Sequence, residues 1–264
     1  MRWSVVVPVY NEAAFLPDTL IALSRQERPF ALILVDNGST DDGVARARAI
    51  VAERGMSATF IREPEAGQVH ALRRGIAEAR TEFVSICDAD TVYPPHYLGL
   101  AERLFDRLGP ECVATAACLR KGMDPARLDM NSVRQLIAAR IMPRQNHTSG
   151  AAHCFRLEAL RRAGGYDAAI WPYVIKDHEL MHRVLKLGRI AWHRDLWCVS
   201  SDRRRRRAGV RWTLLERLAY HLTPFGRKDR FFHGWLAPRF EARGQRDIVL
   251  RQRGWEQRQG TMEA

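Results

Sequence analysis

SVVVPVYNEAAFLPDTLIALSRQERPFALILVDNGSTDD, residues 4–42, reads as strand, helix, strand. Residues 4–10 and 31–36 are short apolar runs closed by polar turns, and residues 11–25 between them carry apolar side chains at three- and four-residue spacing. The pattern repeats outward. ATFIRE (58–63) and EFVSICDAD (82–90) read as further strands, with helices expected over 41–54 and 67–79. Strand and helix alternate, so the class is α/β with a mostly parallel sheet flanked by helices. In open sheets of this kind ligands bind beyond the carboxyl ends of the strands. There the sequence sets Asn11 and Glu12, then DNGSTDD (36–42), then Asp88 and Asp90, which gathers acidic and amide groups on one rim.

With 264 residues, 46% of them apolar, the chain is long enough for one large core. No stretch approaches the roughly 18 apolar residues of a membrane span, and the opening residues do not read as a secretory signal, so a cytoplasmic protein is expected. The five cysteines lack the close spacing of a zinc or redox motif and read as reduced, mostly buried side chains. The net charge of +12 is unevenly placed: residues 1–192 hold 25 Lys+Arg against 22 Asp+Glu, residues 193–264 hold 17 against 8. Charge alone does not choose among nucleic acid, an anionic lipid surface and a phosphorylated substrate as the partner of that basic segment.

Asp88 and Asp90 follow an apolar strand, where a turning backbone lets two carboxylates address one ion. Hard divalent cations take oxygen ligands, and Mg²⁺ is commonly held by one or two carboxylates plus substrate phosphates. A solvated acidic turn is the bland alternative. Asp36 and Asn37 offer oxygens to the N–H groups of a nucleobase, and the Tyr10 ring can stack on it; a plain turn would also use Asn37 and Gly38. Residues 177–187 form an amphipathic helix, and residues 212–222, 229–240 and 247–255 read as short helices rich in aromatic and Arg residues.

The opening VVVPVYNE, the turn VDNGSTDD, PEAGQVHALRRGIAEA (64–79), the DAD strand end, TSGAAHCFRLEALRRAGGYD (148–167) and KDHEL (176–180) resemble, in that order, the motifs of glycosyltransferase family 2. The resemblance covers about the first 200 residues. It implies a GT-A, Rossmann-like catalytic domain over 1–200, with a nucleotide-binding half to about 95, an acceptor half over 96–200 and a basic helical tail over 201–264. The implied donor is a nucleotide-diphosphate sugar, the implied cofactor Mg²⁺ or Mn²⁺, and the acceptor a glycan or a lipid-linked molecule; no nucleic acid is expected.

Residue by residue, the resemblance places Pro8, Tyr10, Glu12, Asp36, Asn37 and Ser39 around the nucleotide, with Gly67, Arg73 and Gly150 also at the substrate. Asp88 then serves both donor and metal, Asp90 the metal, and Asp177 acts as general base in an inverting transfer. This sequence has Asn37 where many relatives carry a second acid, Arg73 at a position that is often Asn, and Lys176 where Glu usually precedes the Asp. As a structural alternative, Asp177 caps its helix. His178, His182 and His193 lie near that helix in sequence, with His193 the candidate third metal ligand. Ser200–Arg204 resembles a Ser-x-Arg-Arg segment, so Arg203 and Arg204 are candidate diphosphate contacts, with a solvated loop as the alternative. Arg211 and Trp212 resemble the end of the Q-x-x-R-W motif, but its Gln is missing.

The competing classes are a sugar-phosphate nucleotidyltransferase, which normally has a Gly-rich loop absent here, and a nucleic-acid binder acting through the tail. The tail itself reads two ways. Arg203–Arg207 with Phe231, Phe232, Trp235, Phe240 and Trp255 suit peripheral contact with an anionic bilayer at the inner face of the membrane; alternatively the aromatics pack on the catalytic domain or on a second subunit.

Overall fold

β1 (Trp3–Val9) is buried along its whole length because it lies between two other strands with helices on both faces. The structure is a computed structural model that describes residues 1–120, 129–147, 150–201 and 212–250. After β1 the chain runs through α1 (Leu16–Leu23), β2 (Phe30–Asp36), α2 (Gly43–Glu53), β3 (Ala58–Arg62), α3 (Gln68–Glu78), β4 (Phe83–Ile86), β5 (Thr91–Val92) and α4 (Tyr97–Leu108). It continues with β6 (Cys112–Arg120), α5 (Met130–Ile141), β7 (His153–Arg156), α6 (Leu157–Arg162), α7 (Lys176–Val184) and β8 (Arg189–Ser200). The C-terminal part adds α8 (Leu214–Leu222), a π-helical turn over Arg230–Leu236 and α9 (Ala237–Ala242).

One sheet holds all eight strands in the order β3-β2-β1-β4-β7-β6-β8-β5. β1, β2, β3 and β4 are parallel neighbours, and so are β6 and β8; β7 opposes β4 and β6, and β5 opposes β8. The carboxyl ends of β1, β2, β4, β6 and β8 therefore share one rim with the start of β7. Alternation along β1 sorts the core. Val5, Val7 and Val9 pack with Leu16 and Leu20 of α1 and Leu104 of α4, while Val6 packs with Val69, Leu72 and Ile76 of α3 and Val184 of α7.

The expected strands agree with the structure to within a residue or so, except that β4 stops at Ile86, short of Asp88. The helix expected over 11–25 begins only at Leu16, because Asn11 takes a left-handed backbone (φ 51°) and residues 11–15 form a loop on the rim. All five cysteines are buried and unbridged.

The tail corrects one reading. Phe231, Phe232 and Phe240 are buried with Trp171, Val174 and Tyr220, and Trp235 is partly covered beside them, so these aromatics serve packing rather than a bilayer. Residues 212–250 thus share a core with the segment that leads into α7. Trp255 and Arg203–Arg207 lie outside the described residues.

Gly75 of α3 lets that helix approach the sheet. A Cβ there would lie 2.4 Å from Val6 Cγ1 and 3.1 Å from Val35 Cγ2. Gly75→Ala gains about 1 kcal/mol of helix propensity but overpacks by about 1–3 kcal/mol. With two β-branched neighbours resisting, the net expectation is a loss, read as a Tm lower by about 2–4 °C per kcal/mol. An unchanged or raised Tm would mean that α3 shifts at no cost.

Candidate active site

The rim site is built on a mismatch between neighbouring strands. β1 pairs with β2 as far as Val9, but its last partner in β4 is Ile86, opposite Val6. Pro8, which has no N–H for a sheet ladder, falls beyond that last β1–β4 pair. The sheet splits there, the place where open sheets of this kind form a ligand crevice, and Cys87–Asp90 leave β4 along it.

On the β1–β2 side the loops are cross-braced. The Asn11 N–H donates to Ser39 Oγ at 3.1 Å, and Asn11 Oδ1 accepts from the Thr40 N–H at 2.8 Å. Asp36 Oδ1 accepts from the Ser39 N–H at 2.9 Å, an Asx turn that fixes the DNGS loop. Pro8, Tyr10, Glu12, Asp36 and Ser39 thus lie on one bank of the crevice. Asn37 has a different task from the one expected. Its side chain is buried, with Nδ2 donating to the carbonyls of Glu63 and Glu65 and Oδ1 accepting from the Gly67 N–H at 2.8 Å. Those bonds use the amide to hold the 63–67 loop, so it is turned away from a base. Gly67 caps α3 at φ 139°, a backbone that glycine alone adopts readily.

Asp88 and Asp90 stand on one short turn after β4 and are held from several elements. The Asp88 N–H donates to the Tyr93 hydroxyl at 3.0 Å, and that hydroxyl donates to the Ala151 carbonyl at 2.9 Å. Gln68 Nε2 reaches Asp88 Oδ1 at 3.3 Å, and Ser201 Oγ donates to Asp90 Oδ2 at 2.8 Å. Tyr93, buried and unremarked in the sequence, therefore couples the acidic turn to the Gly150–Ala152 turn.

That second turn cradles Asp177. A Cβ on Gly150 would lie 2.3 Å from Asp177 Oδ1, so only glycine leaves the carboxylate room. The Tyr166 hydroxyl donates to the same oxygen at 2.8 Å. Burial works to raise the Asp177 carboxyl, but Lys176, His153 and the hydrogen bonds from Tyr166 and the Gly150 backbone outweigh it and hold the group below the usual carboxylate range. The cap of α7 is Ile175 rather than Asp177, which stands at the second helical position. Ile175 has φ 58°, a conformation costly for a β-branched residue, and it turns Lys176 and Asp177 inward.

Lys176 is buried against Asp247, Nζ to Oδ1 at 2.6 Å, and Asp247 Oδ2 accepts from the Val69 N–H in the first turn of α3 at 3.0 Å. One carboxylate from the tail thus joins both banks of the crevice. Removing one partner of such a buried pair costs about 3–5 kcal/mol. Nothing in the local sequence marks Asp247, because its partners lie 71 and 178 residues away.

The remaining candidates separate. His178 lies next to Asp177, its ring 4.3 Å from His147 and 5.1 Å from Trp212. His182 Nε2 pairs with Asp229 at 3.1 Å. Arg73 is largely exposed and reaches Asp167 at 3.4 Å. His193 does not join the carboxylates: it lies in the irregular stretch of β8 between Trp192 and Trp197 and lines a cavity with Leu100, Arg103 and Asp106 of α4. No group of three His, Cys, Asp or Glu side chains suited to a metal occurs among the described residues. Asp88 and Asp90 nevertheless form an oxygen-only pair that fits a Mg²⁺-like ion completed by water and phosphate oxygens. Arg203 and Arg204 are outside the described residues.

A mixed sheet of this order with an acidic crevice beside its first strand is a GT-A fold, as solved structures confirm. A mannosyltransferase from Pyrobaculum calidifontis, in complex with GDP-Man and Mn²⁺, superposes with a TM-score of 0.59 at 25% identity over 75% of this chain and 56% of its own. S. aureus TarS 1-349 in complex with UDP-GlcNAc gives a TM-score of 0.60 at 17% identity over 91% and 73%. The model of glycosyl transferase family 2 matches residues 4–162, and the chain belongs to that family. An undecaprenyl-phosphate 4-deoxy-4-formamido-L-arabinose transferase from Shewanella sediminis is 32% identical over 115 residues, 40% of this chain and 35% of the relative. The match thus spans about a third of that relative's length.

His153 supplies a pH test. It is fully buried beside Asp177, neither ring nitrogen has a hydrogen-bond partner among the described residues, and burial pushes its pKa down to about 4. The unfolded chain binds a proton at this position below about pH 6.5 while the folded chain does not. Stability should therefore fall as pH drops from about 6.5 towards 4, by up to about 1.4 kcal/mol per unit from this residue. Denaturant unfolding of wild type and His153→Asn across that range should give a shallower slope for the variant; equal slopes would remove His153 as the cause.

Proposed function

We propose that this chain transfers a sugar from a nucleotide-diphosphate sugar to a lipid-linked acceptor, with Asp177 as general base. The observation that carries this reading is the chain of contacts linking three groups along one rim: Asn37 of the Asp36–Ser39 turn holds Gly67, the next residue Gln68 reaches Asp88, and Tyr93 joins Asp88 to the Gly150–Ala152 turn that cradles Asp177. The Pyrobaculum calidifontis enzyme, crystallised with GDP-Man and Mn²⁺, supports the donor class, and the undecaprenyl-phosphate transferase supports the acceptor class.

The nucleoside would lie along Pro8–Glu12 and Asp36–Ser39, with Asp36 and Tyr10 left to meet the base, since Asn37 is committed to the 63–67 loop. Asp88 and Asp90 would hold Mg²⁺ or Mn²⁺, which when bound neutralises charge on the departing diphosphate. Asp177 then accepts the proton of an acceptor hydroxyl as its oxygen attacks the anomeric carbon; the bond to the diphosphate breaks on the opposite face, inverting the configuration. A carboxylate below its ordinary range is ionised at neutral pH, ready for that proton.

Tyr166, Gly150 and Ile175 supply the positioning, so the base meets the acceptor in one orientation. The sequence after β1 lacks the Gly-rich loop of nucleotidyltransferases, and the tail aromatics Phe231, Phe232 and Phe240 are buried rather than free to stack on nucleic acid.

Asp177→Asn retains an oxygen for Tyr166 and Gly150 but cannot take up the proton. Nucleoside-diphosphate binding, measured by calorimetry with Mn²⁺, should stay close to wild type while transfer to a polyprenyl-linked acceptor falls by about 10²-fold or more. Chelation should abolish transfer, and Mn²⁺ or Mg²⁺ should restore it. Transfer that survives excess chelator, or an Asn variant at wild-type rate, would sink the corresponding part of the mechanism.

A further inference from the structure

α8 is oriented against its own hydrophobicity. Its inward side carries Glu216 and Tyr220, while Leu214, Leu215, Leu218 and Leu222 point outward, 83%, 64%, 55% and 71% exposed. Polar bonds set this orientation. Glu216 closes a capping box with Thr213 and pairs with Arg243, and the Tyr220 hydroxyl donates to the Gln145 carbonyl at 3.0 Å. A surface helix normally turns such a stripe towards the core.

α5 repeats the arrangement. Met130, Ile137 and Ile141 are exposed at seven- and four-residue spacing along one side, while Ser132 and Ala139 face inward. The two helices are bridged by the turn between them, since Gln145 meets Tyr220 and Asn146 Nδ2 donates to the Gln135 carbonyl at 2.9 Å.

The charge around these stripes has one sign. Arg134, Arg140, Arg144, Arg217, Arg227 and Arg230 are exposed, whereas among the acids of 129–147 and 212–230, Asp129 caps α5 through the Ser132 N–H, Glu216 is buried against Arg243 and Asp229 pairs with Lys186. Exposed leucines and isoleucines among unopposed arginines suit the boundary between acyl chains and anionic headgroups.

We propose that α5 and α8 form a docking surface for an anionic bilayer. This deepens the lipid-linked acceptor reading, on which it rests for its purpose but not for its evidence. The inner side of α8 lies on the site: Tyr220 is 5.6 Å from the ring of His178, the neighbour of Asp177. With its leucine stripe in the headgroup layer, α8 holds Asp177 within about two helix diameters of the membrane. A lipid-anchored acceptor then reaches the base without leaving the bilayer surface. No described helix is long and apolar enough to cross the membrane, so contact by these faces would be peripheral.

The test is co-sedimentation with vesicles of phosphatidylethanolamine and phosphatidylglycerol against vesicles of phosphatidylcholine alone. Wild type should bind the anionic vesicles at least ten-fold more strongly and be released by salt. The variant Leu214→Gln/Leu218→Gln/Leu222→Gln should lose at least ten-fold in partition while keeping its circular dichroism and its binding of UDP or GDP with Mn²⁺. Arg134→Gln/Arg140→Gln/Arg144→Gln, which leaves α8 intact, should lower anionic binding and flatten its salt dependence. Wild type that ignores anionic vesicles, or a leucine variant that binds them equally, overturns the assignment. So does a wild type that is dimeric and becomes monomeric in the leucine variant, because a second copy would then cover the face. Failure to bind any nucleoside diphosphate while vesicle binding stands would count against the donor reading alone.

Discussion

β4 stops pairing with β1 at Ile86, three residues before β1 ends, and the site follows from that offset. A full-length partner strand would close the sheet at the rim and leave Pro8 facing a ladder it cannot join. The gap gives the chain after β4 somewhere to turn, so Asp88 and Asp90 fall on the rim, where Gln68 and Ser201 hold them. Tyr93 then carries the consequence further. Its hydroxyl joins the Asp88 backbone to Ala151, and the turn that begins at Gly150 shapes the space for Asp177. The acidic turn and the cradle of Asp177 are thus positioned from one buried phenol.

The sheet half was legible in the sequence for a physical reason. β1, β2 and β4 bury most or all of both faces, so each appears as an unbroken apolar run, and the polar turns that follow mark the rim. The second half hides its strands. β6 is rich in Ala and Cys, and β8 separates its buried Ala191 from Leu196–Cys198 by Trp, His, Arg and Asp, so neither announces itself. The start of α1 was misplaced because helical spacing continues through 11–15, whereas the left-handed Asn11 belongs to the loop.

Site residues divide along the same line. Asp88, Asp90 and Asp177 are legible as candidates because carboxylates at element ends carry their chemistry locally. Asn37 was read as a base contact because an amide in a turn looks the same whether it meets a ligand or a backbone; only the Glu63, Glu65 and Gly67 partners decide. The tail aromatics posed the same ambiguity, resolved by Trp171 and Tyr220. The face that remains exposed is aliphatic and lies on α8, whose leucine spacing would ordinarily have been read as a core stripe.

Asp247 also imposes an order in time. It is the counter-charge for Lys176 and an acceptor for the first turn of α3, yet it is synthesised 178 residues after Val69. While the chain emerges from the ribosome, the first half of the sheet can collapse around β1, but Lys176 then has no buried carboxylate to meet and the start of α3 lacks an acceptor. The crevice can close on its final geometry only after residue 247 has been released, so a nascent or prematurely cut chain holds the two banks of the site without the clasp between them.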